Sequence, residues 1–167
     1  MKEVVWVFGT SASGKETFIK RVASGEPVDL IKNLGWEDKV VAASDESLNL
    51  IDGELGELRD KVIEKIPILL QKTDVILIKW QYVDSATKRP QRLKDSLPDA
   101  RHRIIELEVG MDELVMRLPR KHWWYDLGKE KESLTKELNM VANSLGQLPD
   151  FDKVSIDSNE SDNYRIT

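Results

Sequence analysis

The run from Gly9 to Lys15, Gly-Thr-Ser-Ala-Ser-Gly-Lys, has the residue types and spacing of a loop that binds phosphate. The two glycines let successive backbone N–H groups turn inward around an anion, and a helix that begins at the loop adds the positive end of its dipole. The Lys15 ammonium group can offset the charge of the outer phosphates during transfer. We therefore predict that a nucleotide is bound by the loop and the residues just after it: Gly9, Thr10, Ser11, Ala12, Ser13, Gly14, Lys15, Glu16 and Thr17.

Glu16 departs from the usual form of this loop, in which Ser or Thr follows the lysine and helps to hold Mg²⁺. Thr17 comes next, and two roles for it stay open: it supports Mg²⁺, or its hydroxyl bonds only within the helix. A carboxylate at Glu16 is unfavourable beside a triphosphate unless it points to solvent.

Apolar segments alternate with helical patterns along the chain, which predicts a parallel α/β sheet that positions the loop. The predicted strands cover 4–8, 39–43, 74–78, 103–109 and 153–156. The predicted helices begin near Lys15, cover 54–71, lie between the prolines at 90 and 98, cover 111–118, and carry the apolar stripe Leu134, Leu138, Val141 and Leu145. Pro67 should kink or end the second helix, and Asp112 should cap the fourth.

The length and the composition predict a single acidic domain over residues 1–167. The net charge is −5, and the chain has no Cys and two His. Disulfides, cysteine-ligated metals and thiol nucleophiles are excluded, and a His-based metal site is disfavoured. No apolar run is long enough to span a membrane and no signal peptide is visible, so we expect a cytoplasmic protein without a membrane partner.

Asp45 follows the second predicted strand, at the sheet edge where ligands of parallel sheets bind. Its carboxylate could orient an acceptor hydroxyl, take the proton of that hydroxyl, or hold Mg²⁺ through a water. The alternative is a solvated turn, since Ser-Asp-Glu-Ser suits a turn. Glu46 is a weaker form of the same hypothesis.

Two other classes of phosphate-binding loop protein are disfavoured. The D-x-x-G and N-K-x-D elements of small GTPases are absent. The third predicted strand ends Leu77-Ile78-Lys79-Trp80, without the carboxylate that motor and transporter ATPases place there.

With these residues the chain resembles the small P-loop metabolite kinases, that is, the nucleoside monophosphate, shikimate and gluconate kinases. The Gly14-Lys15-Glu16-Thr17 form is similar to the loop of nucleoside monophosphate kinases, and the stretch 104–124 and Lys79 are similar to gluconate kinases. The resemblance implies a three-layer P-loop NTPase fold with a parallel five-stranded sheet and a short lid over about 117–132. The residues over 157–167 form a polar tail, which we expect to be partly disordered. The resemblance also implies ATP and Mg²⁺ as cofactors, and a contact of the segment 154–159 with adenine.

The resemblance places Arg117, Arg120 and Lys121 where lid cations stabilise the transferring phosphate, and it does not choose between the two arginines. An ordinary solvated basic loop is the alternative. Trp123, Trp124 and Tyr125 either cover a ligand or pack the lid against the body, whereas Trp6, Trp36 and Trp80 are predicted to be mainly core. His102 and His122 are predicted to be structural.

A basic segment over 79–103 stands out in this acidic chain. It could bind a phosphate-bearing acceptor or a nucleic-acid end, or form a solvated helix face. Its cations are Lys79, Lys88, Arg89, Arg92, Lys94, Arg101 and Arg103.

The first hypothesis is an ATP- and Mg²⁺-dependent phosphotransferase acting on a small hydroxylated or phosphorylated metabolite, with Lys15, Asp45, Arg117 and Arg120 as catalytic residues. The second is a nucleotide or polynucleotide-end kinase, and a nucleic-acid partner is open but not favoured. The third is a nucleotide-binding module without activity. The acceptor and the oligomeric state stay open.

Overall fold

The computed structural model describes residues 1–43, 64–80, 88–118, 128–160 and 162–167. Its centre is a six-stranded sheet in the order β2-β3-β1-β4-β5-β6. The first five strands in chain order are parallel, and β6 pairs antiparallel with β5. The strands are β1 (Glu3–Phe8), β2 (Val41–Ala43), β3 (Val75–Lys79), β4 (Arg101–Glu108), β5 (Asp152–Asp157) and β6 (Arg165–Ile166). The predicted parallel five-stranded sheet is therefore confirmed, with one antiparallel edge strand added.

Helices cover both faces of the sheet, as the three-layer expectation requires. They are α1 (Lys15–Ala23), α2 (Val28–Asn33), α3 (64–69), α4 (Lys88–Ser96), α5 (Met111–Arg117) and α6 (Glu130–Gly146). The sequence analysis missed α2. Within the described residues, no helix is long and apolar enough to cross a membrane.

Two local predictions about helices are corrected in part or in full. The helical segment 64–69 runs past Pro67, so this proline does not end it, and the alternative of a kink stays a prediction. The N-cap of α5 is Gly110, and no side chain caps it. Asp112 instead lies in the first turn of α5, where its negative charge still suits the helix dipole.

Strand β1 is the centre of the core because every one of its residues is buried. Val5 and Val7 pack with the apolar faces of α1 and α2, whereas Trp6 and Phe8 pack on the opposite face with residues of α3 and α4. Burying one such side chain stabilises the fold by about 1.5–3 kcal/mol. This two-sided burial explains why the strand is an unbroken apolar run.

The C-terminal tail is part of the fold in its described residues, which corrects the expectation of partial disorder. Asp157 is the last residue of β5, and β6 adds a strand beyond it. The Tyr164 ring is buried and meets Phe18 of α1 edge-on, with 5.1 Å between ring centroids. Burial raises the pKa of Tyr164. The tail was misjudged because a single aromatic residue in a polar stretch gives no periodic signal.

Candidate active site

The loop of residues 9–14 lies at the carboxyl edge of the sheet, between the end of β1 and the start of α1. Gly14 has φ 86° and Ala12 has φ 62°, so both residues are left-handed. Glycine adopts this conformation freely, whereas a residue with a Cβ pays about 1–2 kcal/mol. At Gly9, a Cβ would lie 2.4 Å from Ser13 Oγ and 3.0 Å from Ser13 Cβ, so a side chain there would force Ser13 to shift. Glycine is therefore favoured at the two positions for different geometric reasons: close contact with Ser13 at Gly9 and a left-handed backbone at Gly14.

The Lys15 side chain is folded back onto the loop rather than extended into solvent. Its Nζ donates hydrogen bonds to the carbonyl oxygens of Gly9 and Thr10, both at 2.8 Å. The residue is buried, with 8% of its surface exposed. A positive charge is therefore held inside the curve of the loop by neutral backbone groups.

Glu16 and Thr17 lie in the first turn of α1. The Glu16 carboxylate accepts a hydrogen bond from Lys20 Nζ at 2.6 Å, along the exposed surface of the helix. This ion pair offsets the charge of Glu16, which was the electrostatic objection raised by the sequence. Thr17 is exposed, and a magnesium contact through its hydroxyl stays a prediction.

Arg117, the last residue of α5, joins three elements around the loop. Its Nη1 donates to the Ala12 carbonyl at 3.3 Å, and its Nη2 donates to the carbonyls of Ser158 and Asn159, both at 2.8 Å. Its Nε donates to Glu113 one turn earlier in α5. The structure thus brings Arg117 against the loop, and its action on a transferring phosphate stays a prediction.

The segment after β5 also lies against the loop. The Ser158 hydroxyl is buried and donates to the Ser13 carbonyl at 3.0 Å, and the Ser158 N–H donates to the Glu108 carbonyl at 2.8 Å. Asn159 Oδ1 accepts a hydrogen bond from the Gly110 N–H at 2.8 Å. The segment expected to touch adenine is therefore beside the loop, and the adenine contact itself stays a prediction.

Glu137 of α6 is a site residue that sequence reasoning missed. Its Oε2 accepts a hydrogen bond from the Ser11 N–H at 2.7 Å, and its Oε1 accepts one from the Ser11 hydroxyl at 3.0 Å. It is buried, whereas Leu138, predicted to be part of the apolar stripe, is 41% exposed. The helix buries Leu134, Glu137, Val141 and Ser144. This spacing was visible in the sequence, but a carboxylate on an apolar face was not expected.

The aromatic and histidine predictions that can be checked are confirmed. Trp6, Trp36 and Trp80 are buried, and Trp80 packs edge-on against Trp6 with 4.9 Å between ring centroids. His102 has a structural role: its Nε2 lies 2.9 Å from the Leu97 carbonyl, and burial lowers its pKa.

Several predicted site residues lie outside the described residues, and their predictions stay untested. They are Asp45, Glu46, Arg120, Lys121, His122, Trp123, Trp124 and Tyr125. The predicted lid over 117–132 is described only at its two ends, in α5 and Leu118 and from Gly128 onward.

Comparison with known proteins gives a clear answer for the fold alone. No family model matches the sequence, and no curated protein matches it. Among solved structures, a shikimate kinase from Bacteroides thetaiotaomicron superimposes with a TM-score of 0.54 at 14% identity, over 96% of this chain and 89% of that one. The chain has the fold of the P-loop kinases. The fold implied by the resemblance is thereby confirmed.

Two further structures have a similar fold. A gluconokinase from Sinorhizobium meliloti gives a TM-score of 0.50 at 14% identity, over 95% of this chain and 83% of that chain. A chain in the Pnkp1/Rnl/Hen1 RNA repair complex gives 0.57 at 15% identity, over 89% of this chain. This chain spans 46% of the length of that larger protein.

Proposed function

We propose that the chain is an ATP- and Mg²⁺-dependent phosphotransferase that acts on a small hydroxylated or phosphorylated metabolite. The observation that carries the proposal is the Lys15 ammonium group, held inside the loop by the carbonyls of Gly9 and Thr10. A cation placed in advance stabilises negative charge on a phosphoryl group without reorganising during the reaction. The kinase fold supports the same assignment.

The residues around the loop fit a nucleoside triphosphate. The first N–H groups of α1 have no acceptor within their own helix, as at every helix N-terminus, and they point toward the loop. Gly14 leaves room beside Arg117 and Ser158, whose polar atoms lie 3.7 and 3.6 Å from the place a Cβ would take. The Thr17 hydroxyl would supply one oxygen to Mg²⁺, a cation that uses few protein ligands and keeps several waters. Bound Mg²⁺ would offset the charge of the outer phosphates.

The positions of Lys15 and Arg117 support the roles proposed for them, whereas the role of Asp45 is proposed from the sequence and that of Arg120 from the resemblance. Lys15 binds the outer phosphates of the donor. Asp45 orients the acceptor hydroxyl and takes its proton, or holds a magnesium-bound water. Arg117 or Arg120 stabilises the charge on the transferring phosphate. Because the chemistry consists of positioning and charge stabilisation, no covalent enzyme intermediate is expected.

The first experiment compares thermal unfolding of the wild type and of Lys15→Ala with ATP, ADP or GTP, with and without Mg²⁺. A ligand that binds the native state raises Tm by mass action. We expect Mg-ATP to raise Tm of the wild type and to leave Tm of Lys15→Ala unchanged. Lys2→Ala, which removes a half-exposed lysine just before β1 that pairs with Asp74, is the matched control and should respond like the wild type. ADP release with a panel of hydroxylated and phosphorylated metabolites then identifies the acceptor.

A second candidate, a nucleotide or polynucleotide-end kinase, is favoured by how the structure divides the basic segment. Arg101 and Arg103 pair with acidic side chains at the amino edge of the sheet, and Lys94 Nζ donates to the Asp150 carbonyl. Lys79 ends β3 beside Val7 of β1, close in sequence to the loop. Arg89 and Arg92 lie in the first half of α4, which follows the carboxyl end of β3. The places of Lys79 and of α4 relative to the carboxyl end of β3 support an acceptor that carries phosphate.

Binding of a 5′-hydroxyl oligonucleotide tests the second candidate. Affinity that falls steeply with salt indicates phosphate contacts. We expect Arg92→Ala to weaken binding and to reduce the salt dependence, while Arg101→Ala at the opposite edge changes neither. Absence of salt-sensitive binding would exclude the polynucleotide acceptor and leave the small metabolite.

A further inference from the structure

The Ser11–Ala12 turn has a backbone conformation that its own residue types disfavour. Ala12 is left-handed although it carries a Cβ, and such residues persist only where the surroundings hold them. The Ala12 methyl group packs in a small apolar cluster with Leu114 of α5, with Leu118 just after α5 and with Leu134 of α6, which explains why alanine is suited to this position. The turn is therefore held by its neighbours and not by its own preference.

Side chains of opposite charge hold the backbone on the two sides of Ala12. Before it, the Ser11 N–H and hydroxyl both donate to the Glu137 carboxylate, at 2.7 and 3.0 Å. At Ala12 itself, the carbonyl accepts a hydrogen bond from Arg117 at 3.3 Å. Hydrogen bonds to a carboxylate are shorter and stronger than those between neutral groups. The Arg117 contact also involves an ionised group, but the Glu137 contact is the stronger restraint because it consists of two shorter hydrogen bonds.

A carboxylate beside a phosphate-binding loop has an electrostatic disadvantage, because its charge repels the ligand. An acid in this place is advantageous only if its effect on the shape of the loop outweighs that repulsion. Leu134 and Glu137 lie on the same buried face of α6. One helix therefore supplies both the apolar contact to Ala12 and the polar contact to Ser11.

We propose that Glu137 is a positioning residue, which holds the Ser11–Ala12 turn in the shape that binds phosphate through its contact with the Ser11 N–H and hydroxyl. The inference rests on the proposed function only in that the loop binds phosphate. It adds a residue distant in sequence, on α6, to the set that determines donor affinity.

The test measures binding of Mg-ATP and of inorganic triphosphate by calorimetry. Glu137→Ala should weaken both about tenfold, the size expected from losing a charge-assisted hydrogen bond. Glu137→Gln keeps an acceptor oxygen for the Ser11 N–H and removes the repulsive charge, so its affinity should stay within about threefold of the wild type. Glu132→Ala is the matched control, because it removes the same charge from the exposed surface of the same helix. It should bind like the wild type.

A second substitution distinguishes loop shape from general stability. Glycine adopts the left-handed conformation without strain, so Ala12→Gly in the Glu137→Ala background should recover affinity. If the glycine does not recover affinity, Glu137 acts through something other than the turn and the proposal is overturned. If Glu137→Ala fails to fold by circular dichroism, Ser11→Ala replaces it: loss of the hydroxyl contact should weaken triphosphate binding, and unchanged binding would overturn the proposal.

The outcomes also separate this inference from the proposed function. A wild type that binds neither ATP nor triphosphate overturns the function and the inference together. A wild type that binds both, with Glu137→Ala equally tight, overturns the inference alone. If Glu137→Ala and Glu137→Gln both bind triphosphate more tightly than the wild type, and by the same factor, then Glu137 affects binding through its charge alone. That result would also overturn the inference.

Discussion

The two edges of the sheet both bury charged side chains, but they satisfy them in different ways. At the amino edge, Glu3 and Arg103 are almost fully buried and face each other, with 3.2 Å between Glu3 Oε1 and Arg103 Nε. That contact has the distance of an ion pair but not the angle of a hydrogen bond. Glu3 also accepts a hydrogen bond from Trp36 Nε1 at 3.1 Å, and the Arg103 guanidinium lies 5.8 Å from the Trp36 ring.

At the carboxyl edge, charged side chains bond largely to the backbone. Lys15 donates to loop carbonyls and Glu137 accepts from the Ser11 N–H. Arg117 donates to carbonyls of the loop and of the segment after β5, besides its contact with Glu113. At this edge the backbone supplies most of the contacts described for these side chains, whereas at the amino edge a buried ion pair supplies the main contact. The difference teaches that the buried charges of the amino edge bind side chains of neighbouring elements, whereas those of the carboxyl edge fix the backbone of the loop.

The largest expected effect is at the amino edge. Arg103→Leu removes the nearer cation from the buried Glu3 and leaves it Trp36 and the more distant Lys39, whose Nζ lies 3.9 Å away. Breaking a buried ion pair from one side costs about 3–5 kcal/mol. We expect denaturant unfolding to show this loss, while the folded variant binds ATP with unchanged affinity. Arg101→Ala, which removes a half-exposed partner of Asp152, is the control and should cost less than about 1 kcal/mol. A loss of ATP affinity in Arg103→Leu would contradict the separation of the two edges.

Two glycines with the same backbone conformation test the carboxyl edge. Gly14→Ala and Gly25→Ala place a Cβ at φ 86° and φ 93°, and each should cost about 1–2 kcal/mol of stability. Nothing lies within 4 Å of a Cβ at Gly25, and the Cβ at Gly14 has only ordinary contacts. Only Gly14→Ala should weaken ATP binding, because only it alters the loop. Equal ATP affinity of the two variants would argue against phosphate binding by the loop.

Ser158→Ala tests the carboxyl edge further, because it removes a single hydrogen bond between the loop and the segment after β5. It removes the hydroxyl that donates to the Ser13 carbonyl, and the expected loss is about 1 kcal/mol of stability. A weaker affinity for ATP should accompany it, since the loop loses a restraint from the segment after β5. Ser96→Ala is the control, because its hydroxyl donates to the Leu93 carbonyl within one helix. A lower Tm with unchanged ATP affinity would assign Ser158 to stability alone.

The smallest expected effect is the dependence of stability on pH that His102 causes at the amino edge. Burial lowers the pKa of His102, and its Nδ1 is buried without a hydrogen-bond partner in the described structure. The unfolded chain therefore binds the proton more readily, so stability is complete above the ordinary histidine pKa and falls as pH drops through about 6.5. Unfolding between pH 7.5 and 5.5 should show this fall in the wild type and a smaller one in His102→Gln. Equal slopes in the two proteins would remove His102 as the cause.

Much of the framework was predictable because it depends on residues close in sequence. The apolar run of β1, the Gly-rich stretch after it and the amphipathic α1 indicate strand, loop and helix without any partner. Leu138 and Tyr164 show where such reasoning stops. Leu138 is exposed on the helix whose stripe it was predicted to share, and Tyr164 is buried in a stretch that looked like a polar tail.

What the sequence by itself determined is therefore the loop, its lysine and the parallel sheet that presents them. Local spacing decides these features, since backbone conformation and apolar periodicity act over a few residues. Only the tertiary structure decided that Glu137 accepts a hydrogen bond from Ser11 in the loop, 126 residues earlier in the chain. Likewise, it alone decided that Arg117 joins the loop to the segment after β5. These contacts depend on how α5 and α6 pack over the sheet edge, and no short-range pattern contains that information.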